Sequence, residues 1–174
     1  MALAIDADST VTDAVAAVER WIASEEPEPW RTAASDGPKA LRAVRSPADY
    51  RAWYPVFARS GLVAPTWAPE HGGLGVGNDV ARAIDRVLAP LRLTRLNPLG
   101  INNAAAALFS HGTDEQRLRF LPPIVRNEEK WCQLFSEPGA GSDLASLATR
   151  AVRDGDQWVI TGQKVWTTWA DEAD

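Results

Sequence analysis

The sequence predicts a mainly α-helical protein that ends in a short β segment. Apolar residues recur at helical spacing through the first three-quarters of the chain, prolines and glycines separate these stretches, and extended runs around a hairpin turn follow Lys130. We therefore expect a helical N-terminal domain over residues 1–129 and an antiparallel β region over residues 130–174. Because the chain reaches Asp174 without a returning strand, we expect this β region to be incomplete.

The composition and charge of the chain disfavour several classes of protein. The 174 residues carry a formal net charge of −5, with one cysteine and two histidines. An acidic chain is not expected to bind nucleic acid, and this cysteine and histidine content disfavours a disulfide framework or a zinc site. The chain also lacks an apolar run of about 18 residues and a basic secretory leader, so we expect a cytoplasmic protein without a membrane span.

The first helices follow from their start and stop signals. An apolar stripe with helical spacing comes directly after possible capping residues, and it consists of Val11, Val15, Val18 and Ile22. The run at residues 25–29, with Glu25, Glu26 and Glu28, predicts the end of this helix and a solvated polar loop to about Arg45. Ser46 and Pro47 begin a second helix that ends at Gly61, and Pro55 is expected to kink or split it.

The later helices are marked in the same way. Two prolines and three glycines over residues 64–75 predict a structured loop, and Val80, Ile84 and Leu88 mark a helix after it. Residues 103–110 form an alanine-rich helix that we expect to be buried on most sides. Thr113 and Gln116 fit a capping box for a helix that ends at Leu121, before a pair of prolines.

Three features predict the β region. Residues 131–136 form a short extended run. The Asp154–Gly155 pair between two runs with strand composition predicts a hairpin. Residues 164–169 are expected to form a further strand, in which alternation places Trp166 and Thr168 on the same face.

Two segments could carry chemistry. Residues 134–143, with the sequence LFSEPGAGSD, combine a proline, two glycines and Ser142, an arrangement whose backbone N–H groups can hold a phosphate. Leu144 stands where a Rossmann fingerprint needs a third glycine, and no P-loop lysine follows. From the residues alone, an ordinary turn and a ligand loop remain open for this segment. For Trp166 and Thr168, packing under a sheet and lining a planar cofactor likewise remain open.

Four stretches together resemble the acyl-CoA dehydrogenase family. They are WAPEHGGLG at residues 67–75, HGTDEQ at 111–116 with FLP at 120–122, FSEPGAGSD at 135–143, and TGQKVWTT at 161–168. The last two motifs, in this order and at this spacing, are the most specific. The resemblance covers nearly the whole chain and is weakest before Ser46.

The resemblance implies a flavoprotein oxidoreductase of fatty acid and lipid metabolism. Members have an N-terminal helical domain, a middle β-domain and a C-terminal four-helix bundle, of which this chain would hold the first over 1–129 and the beginning of the second over 130–174. With FAD they oxidise an acyl-CoA thioester to the 2,3-enoyl-CoA, with hydride transfer from the β-carbon to the flavin. An electron-transfer flavoprotein usually reoxidises the flavin, and members form homo- or hetero-oligomers.

The resemblance also implies a set of site residues. Ser136 would donate to the pyrimidine edge of the flavin, Trp166 would cover the ring, and Thr168 would bond near the hydride-accepting nitrogen. Ser142 would meet the diphosphate and also lie near the CoA side of the substrate. The full cofactor-binding set is Gln133, Phe135, Ser136, Gly141, Ser142, Trp166 and Thr168. The family's catalytic glutamate lies beyond this chain, so no catalytic residue and no metal ligand is assigned here.

Other interpretations stay open beside this one. Glu137 belongs to the signature, and a structural role near the turn is favoured over acid–base chemistry; His71 and His111 are also interpreted as structural. Instead of an enzyme subunit, the chain could be a non-catalytic subunit that docks to a complete dehydrogenase. It could also belong to an acyl-CoA oxidase or flavin monooxygenase relative, which oxygen reactivity of the reduced flavin would distinguish.

Overall fold

The computed structural model describes residues 3–174, which divide into two compact units, one ending at Glu129 and the other running from Lys130 to Asp174. Within the described residues, the first unit is helical and the second holds a two-stranded antiparallel sheet, so the predicted fold class is confirmed. The helices are α1 Val11–Glu25, α2 Glu28–Ser35, α3 Pro38–Val44, α4 Pro47–Arg59, α5 Asn78–Leu88, α6 Ala105–His111 and α7 Asp114–Arg126. The strands are β1 Arg150–Asp154 and β2 Gln157–Thr161.

Shorter helical turns connect these elements. They are 3-10 turns at Pro69–His71, Ala89–Leu91 and Leu144–Ser146, and a π-helical turn at Gly100–Ala104 that leads into α6. Over residues 3–174, no helix combines the length and the apolar character needed to cross a membrane.

Side-chain caps define the helix starts that the sequence predicts. The hydroxyl of Ser46 accepts a hydrogen bond from the N–H of Asp49 at 3.1 Å, and the Asp49 carboxylate accepts one from the N–H of Ser46 at 3.0 Å. Thr113 and Gln116 form the same reciprocal box at the start of α7, and Thr10 caps α1. A cap of this kind stabilises a helix by about 1 kcal/mol because it satisfies N–H groups that have no partner within the helix.

The prediction of a polar loop from residue 30 to about residue 45 is wrong, because α2 and α3 occupy this stretch. Each helix has a proline in its first turn, Pro29 and Pro38, where the missing N–H leaves no helical bond unmade. Trp30 and Leu41 are buried and attach the two helices to the core. These prolines therefore lie at the beginning of helices and do not prevent them from forming. Composition alone does not distinguish a proline that begins a helix from one that ends it.

Prolines also lie inside two longer helices. Helix α4 continues through Pro55 without splitting, and α7 runs through residues 122–123 rather than ending at Leu121 as predicted. An internal proline costs about 3 kcal/mol through a lost hydrogen bond and a steric clash. Ile124 and Val125 follow the paired prolines and are fully buried, and each such side chain contributes about 1.5–3 kcal/mol. The free energy gained by burying Ile124 and Val125 therefore offsets the cost of the prolines, and the helix continues beyond them.

Aromatic side chains fill the centre of the first unit. Ring centroids of neighbouring residues lie 5.6 Å apart for Trp30–Trp53 and 6.4 Å apart for Trp30–Tyr50. Polar atoms at the edge of the cluster are satisfied by backbone carbonyls: the Tyr50 hydroxyl donates to Thr94 at 2.8 Å and the Trp53 indole N–H donates to Glu25 at 2.9 Å. The cluster consists of Trp21, Trp30, Tyr50, Trp53, Tyr54 and Phe57.

One carboxylate lies inside this unit, although the sequence predicts that its acidic run is solvated. The side chain of Glu26 is fully buried, and neither of its oxygens has a hydrogen-bond partner among the described residues. The Arg45 guanidinium lies 4.0 Å away, but it donates to the carbonyls of Leu91 and Arg92 at 3.0 and 3.1 Å. Burial raises the pKa of Glu26 to about 7, against the opposing effect of the nearby arginines.

Helix α6 is less buried than its composition predicts. Only Ala105 is buried in it, and Phe109 is exposed over 38% of its surface. The π-helical turn before it is held by Asn97, a fully buried residue whose Oδ1 accepts a hydrogen bond from the N–H of Gly100 at 3.2 Å. Alanine-rich sequence is compatible with either environment, so it does not settle burial.

The glycine-rich loop of residues 64–75 folds back on itself. The N–H of Gly75 donates to the Trp67 carbonyl at 2.7 Å, and the N–H of Gly73 donates to the Ala68 carbonyl at 3.2 Å. A Cβ atom at Gly73 would collide with the backbone carbonyls of Trp67 and Ala64. The loop can close only because this position has no side chain.

The second unit contains the predicted hairpin. Strands β1 and β2 pair in register from Arg150–Thr161 to Asp154–Gln157, and Gly155 has a φ of 60°. A positive φ at the first central residue is the conformation that a type II′ turn requires of glycine. All residues of both strands are exposed within the described chain, so this sheet covers no core of its own.

Two other strands expected in this unit are absent from the described residues. Residues 131–136 have no regular secondary structure, and residues 164–169 end in turns rather than in a strand. Trp166 and Trp169 have φ values of 58° and 65°, which interrupt an extended backbone. The alternation that would place Trp166 and Thr168 on one strand face therefore does not apply.

Candidate functional site

All of the predicted cofactor-binding residues lie in the second unit, and none of them is buried. Phe135 is exposed over 59% of its surface and Trp166 over 91%, whereas Ser136 is half-buried. These side chains are accessible to a ligand. They are distributed over three segments, residues 133–136, 141–142 and 166–168.

Hydrogen bonds hold the first and third segments side by side. The N–H of Val165 donates to the carbonyl of Ser136 at 2.9 Å. The ammonium group of Lys164 donates to the carbonyl of Phe135 at 3.1 Å. The main chain of Phe135 and Ser136 is thus fixed next to the residue that precedes Trp166. The first segment and the residues just before the third are thus joined by one backbone bond and one bond from a side chain, not by strand pairing.

Glu137 organises the centre of this arrangement. Its carboxylate accepts hydrogen bonds from the N–H of Ala148 at 2.7 Å, from the N–H of Thr149 at 3.1 Å and from the ammonium of Lys164 at 2.8 Å. These donors hold the pKa of the carboxyl down at about 2, with the bond from Lys164 as the largest cause. A carboxylate engaged in this way is a poor proton acceptor, which agrees with the structural role that the sequence favours.

The loop after Glu137 presents free backbone donors. Glu137 and Ala140 exchange two backbone hydrogen bonds at 2.8 and 3.1 Å, which turns the chain back. Gly139 and Gly141 have open space around them, and the N–H groups of Gly141 and Ser142 bond to no acceptor among residues 3–174. Exposed, unpaired N–H groups on a turn suit an anion such as a phosphate.

Trp166 and Thr168 occupy a turn at the end of this unit. Their exposure is high, and the following residues close into the turn through the N–H of Ala170, which donates to the Thr167 carbonyl at 3.4 Å. The backbone at Trp166 is left-handed, with a φ of 58°. A ring that is 91% exposed contributes little to the fold and is available to stack on a flat ligand.

The polar groups of this unit suit a binding site for a dinucleotide cofactor better than a metal site or a site with a catalytic nucleophile. Unpaired N–H groups, a half-buried serine and an exposed indole are groups that bind phosphate, heteroaromatic edges and ring faces. In the described part of the chain, no three His, Cys, Asp or Glu side chains are placed to bind a metal ion. Cys132 is half-buried and in no disulfide. The one buried carboxylate of the second unit, Glu137, is already satisfied.

Sequence reasoning missed Lys164 as part of this site. Its partners Phe135 and Glu137 lie 29 and 27 residues earlier in the chain, so no local pattern links them. One signal was available, because Lys164 is one of three lysines in a chain whose other basic residues are arginines. An ammonium on a flexible stem can reach two oxygens where a planar guanidinium fits less readily.

Two family models match the chain. The N-terminal domain of acyl-CoA dehydrogenase matches residues 12–128, and the middle domain of acyl-CoA dehydrogenase matches residues 132–174. Among curated relatives, acyl-CoA dehydrogenase IpdE1 of Mycobacterium tuberculosis is 48% identical over 124 residues, which make up 69% of this chain and 31% of that protein. The chain therefore spans about a third of the length of this relative.

Solved structures give the same picture. The ChsE4–ChsE5 complex from Mycobacterium tuberculosis is similar with a TM-score of 0.62 and 33% identity, over 94% of this chain and 40% of that chain. The structure described as the Tcur3481–Tcur3483 steroid ACAD is similar with a TM-score of 0.59 and 29% identity, over 94% of this chain and 41% of that chain.

Proposed function

Because the chain belongs to the acyl-CoA dehydrogenase family, we propose that it supplies flavin-binding residues to an enzyme that oxidises an acyl-CoA thioester to the 2,3-enoyl-CoA. In this proposal residues 1–129 are the N-terminal helical domain and residues 130–174 begin the middle β-domain. The observation that supports it most is the pair of hydrogen bonds that fix the carbonyls of Phe135 and Ser136, one from the Lys164 ammonium and one from the Val165 N–H. These bonds join the two most specific of the four motifs that carry the family resemblance.

In this proposal, different residues of the second unit bind different parts of FAD. The unpaired N–H groups of Gly141 and Ser142 bind the diphosphate, and Ser142 also contacts the CoA side of the substrate. Gln133 and Phe135 line the ring, and the exposed Trp166 covers it with Thr168 near its reactive nitrogen. FAD, when bound, accepts the hydride from the β-carbon of the substrate.

Among these residues, Ser136 has the role with the largest effect on the rate of hydride transfer. A donor fixed at the pyrimidine edge of the ring stabilises negative charge that develops only as the hydride is transferred, so it favours the transition state over the ground state. Its carbonyl is held by the N–H of Val165 at 2.9 Å, which fixes its backbone in advance. The Glu137 carboxylate is satisfied by its own donors, so in this proposal it is not the group that removes the α-proton.

The experiment is anaerobic titration of the purified protein, as its gene encodes it and with any subunit that copurifies. We expect a yellow, FAD-containing protein whose flavin is bleached by an acyl-CoA. The substrate panel contains short, long and branched acyl groups, and also a steroid-bearing acyl group because one structural relative is described as a steroid ACAD. A protein that contains no flavin and refuses added FAD would contradict the proposal.

Reoxidation then identifies the electron acceptor. We propose an electron-transfer flavoprotein, which should restore the yellow colour of the reduced protein in the absence of oxygen. Rapid reoxidation by oxygen alone, with production of peroxide, would instead indicate an acyl-CoA oxidase or a flavin monooxygenase relative.

A second candidate function is that of one subunit in a hetero-oligomer. It is favoured by the two related structures, each of which is described as a pair of differently named proteins. The exposed hairpin, with Ile160 at 71% and Trp158 at 64% exposure, offers apolar surface for such a partner. Flavin uptake only after a second subunit is added would support this function, whereas full FAD occupancy of the chain alone would argue against it.

A further inference from the structure

The second unit has an unusual interior. Among residues 130–174, the buried residues are Ala140 and the charged Glu137, while Trp131 and Val165 are half-buried and the other large apolar side chains are exposed. Burying a carboxylate is unfavourable unless hydrogen bonds and an opposite charge compensate for the lost water. Here three donors do so, and each comes from a different position along the chain. A charged network therefore takes the place that an apolar core occupies elsewhere.

This network connects the first proposed flavin segment, residues 133–136, with the chain directly before the third, residues 166–168. Glu137 holds the main chain at residues 148–149, directly before β1, through two backbone N–H groups. Lys164 bridges the Glu137 carboxylate and the Phe135 carbonyl, at 2.8 and 3.1 Å. The Lys164 side chain is exposed over 21% of its surface and that of Glu137 over 6%, so water competes little for these bonds.

We propose that Glu137 and Lys164 are positioning residues of the flavin site, which fix the backbone of Phe135 and Ser136 against the segment that carries Trp166. This inference rests on the proposed function, since it concerns how this chain holds FAD. Neither side chain needs to touch the cofactor. Lys164 sets the direction of the Phe135 peptide group, and Glu137 sets the position of Lys164.

A second ion pair in the same unit provides an internal control. The ammonium of Lys130 lies 3.0 Å from the carboxylate of Glu172, and these side chains are exposed over 43% and 60% of their surface. Solvent screens such a pair, and it involves none of the proposed flavin residues. Its removal should therefore reproduce the general effect of losing a lysine but not the effect on the flavin.

The test compares FAD binding by the wild-type protein with that of Lys164→Met, Lys164→Arg, Glu137→Gln and the control Lys130→Met. Methionine retains most of the apolar stem of lysine and removes its donors. We expect Lys164→Met and Glu137→Gln each to weaken FAD binding by about tenfold or more, as expected for the loss of hydrogen bonds to a charged group. Lys164→Arg keeps the charge but should recover only part of the affinity, because a planar guanidinium fits the two oxygens less readily than an ammonium. Lys130→Met should match the wild type.

A spectroscopic measurement separates positioning from general destabilisation. With FAD added to saturation, Lys164→Met should shift the midpoint potential and the absorption band of the bound flavin, because the Ser136 donor no longer meets the ring at a fixed place. A loss of stability alone would lower occupancy and leave the spectrum of the bound fraction unchanged. If Lys164→Met does not fold, Glu137→Gln decides the question, since it preserves the size of the side chain and part of its acceptor capacity.

The outcomes distinguish this inference from the proposed function. A wild-type protein that takes up no FAD, alone or with a copurifying subunit, overturns both. A wild-type protein that binds FAD, with variants at Glu137 and Lys164 that bind it equally tightly and with the same spectrum, overturns the positioning role alone. The same loss of affinity in Lys130→Met would also overturn it, because the effect would then not depend on this network.

Discussion

The carboxylate of Glu26 lies 4.0 Å from the guanidinium of Arg45 inside the helical unit, yet the two groups share no hydrogen bond. Arg45 instead donates to backbone carbonyls and stacks over the rings of Trp30 and Tyr50, at 5.3 and 4.9 Å from their centroids. An ion pair with this geometry does not compensate fully for the loss of water around the carboxylate. The protonated form of Glu26 is therefore favoured in the folded state.

The stability of the helical unit should consequently depend on pH through Glu26. Its pKa rises from 4.5 to about 7 on folding, so between these values the folded chain holds a proton that the unfolded chain releases. The free energy of unfolding should thus fall as the pH rises through this window. Glu26→Gln should remove this dependence and stabilise the protein by about 1–3 kcal/mol at pH 8, because the wild-type protein must then keep a charged carboxylate buried.

Denaturant unfolding at pH 5 and pH 8 measures this effect, with Glu28→Gln as the matched control because Glu28 is exposed. The control should show the same pH dependence as the wild type. A Glu26→Gln protein that loses stability by the same amount as the wild type between these pH values would refute the assignment.

The network around Glu137 should respond to pH in the opposite direction. Its pKa falls from 4.5 to about 2, so its stabilising effect is present above 4.5 and disappears as the pH falls towards 2. The amide resonances of Ala148 and Thr149 should therefore keep their positions well below the pH at which an exposed glutamate titrates. In an NMR titration, movement of these resonances with a midpoint near 4.5 would contradict the observed hydrogen bonds.

Gly73 should be among the least replaceable residues of the first unit. A Cβ atom at this position meets the backbone carbonyls of Trp67 and Ala64, and neither can move without opening the loop. We expect Gly73→Ala to destabilise the unit by about 2 kcal/mol or more, as an overpacked site does. Gly139→Ala is the control, because a Cβ there meets nothing within 4 Å, and its thermal unfolding should match the wild type.

Two tryptophans should show opposite behaviour when replaced by alanine. Trp21 is 2% exposed, and Trp21→Ala should cost about 3–5 kcal/mol of stability. Trp166 is 91% exposed, and Trp166→Ala should leave the unfolding transition unchanged while weakening FAD binding. Thermal unfolding combined with a flavin titration checks both. Equal FAD affinity in Trp166→Ala and the wild type would remove this residue from the proposed site.

Local signals account for the parts of the fold that were predicted. Ser46 with Asp49 and Thr113 with Gln116 are three residues apart, and the hairpin is centred on Gly155, so their chemistry acts within a single turn. The predictions failed where distant packing decides. Helices α2 and α3 depend on the burial of Trp30 and Leu41, and the burial of Glu26 depends on elements around it.

The candidate site shows the same division. The motifs predict which segments are involved, since the resemblance to the family implies roles for Ser136 and Trp166. The contacts that join these segments cannot be read from the sequence, because Glu137 and Lys164 are 27 residues apart and act largely through backbone atoms. The left-handed conformation of Trp166 could likewise not be predicted from the sequence, because bulky residues rarely adopt it.

Ala148 shows how a position can be restricted without any demand on its side chain. Its methyl group is exposed, but its N–H donates to the Glu137 carboxylate at 2.7 Å. A saturation library at this codon should therefore accept charged, polar and apolar residues alike and reject proline, which has no N–H to offer. Natural variants could then drift freely at this point of the chain while the requirement on its main chain stays fixed.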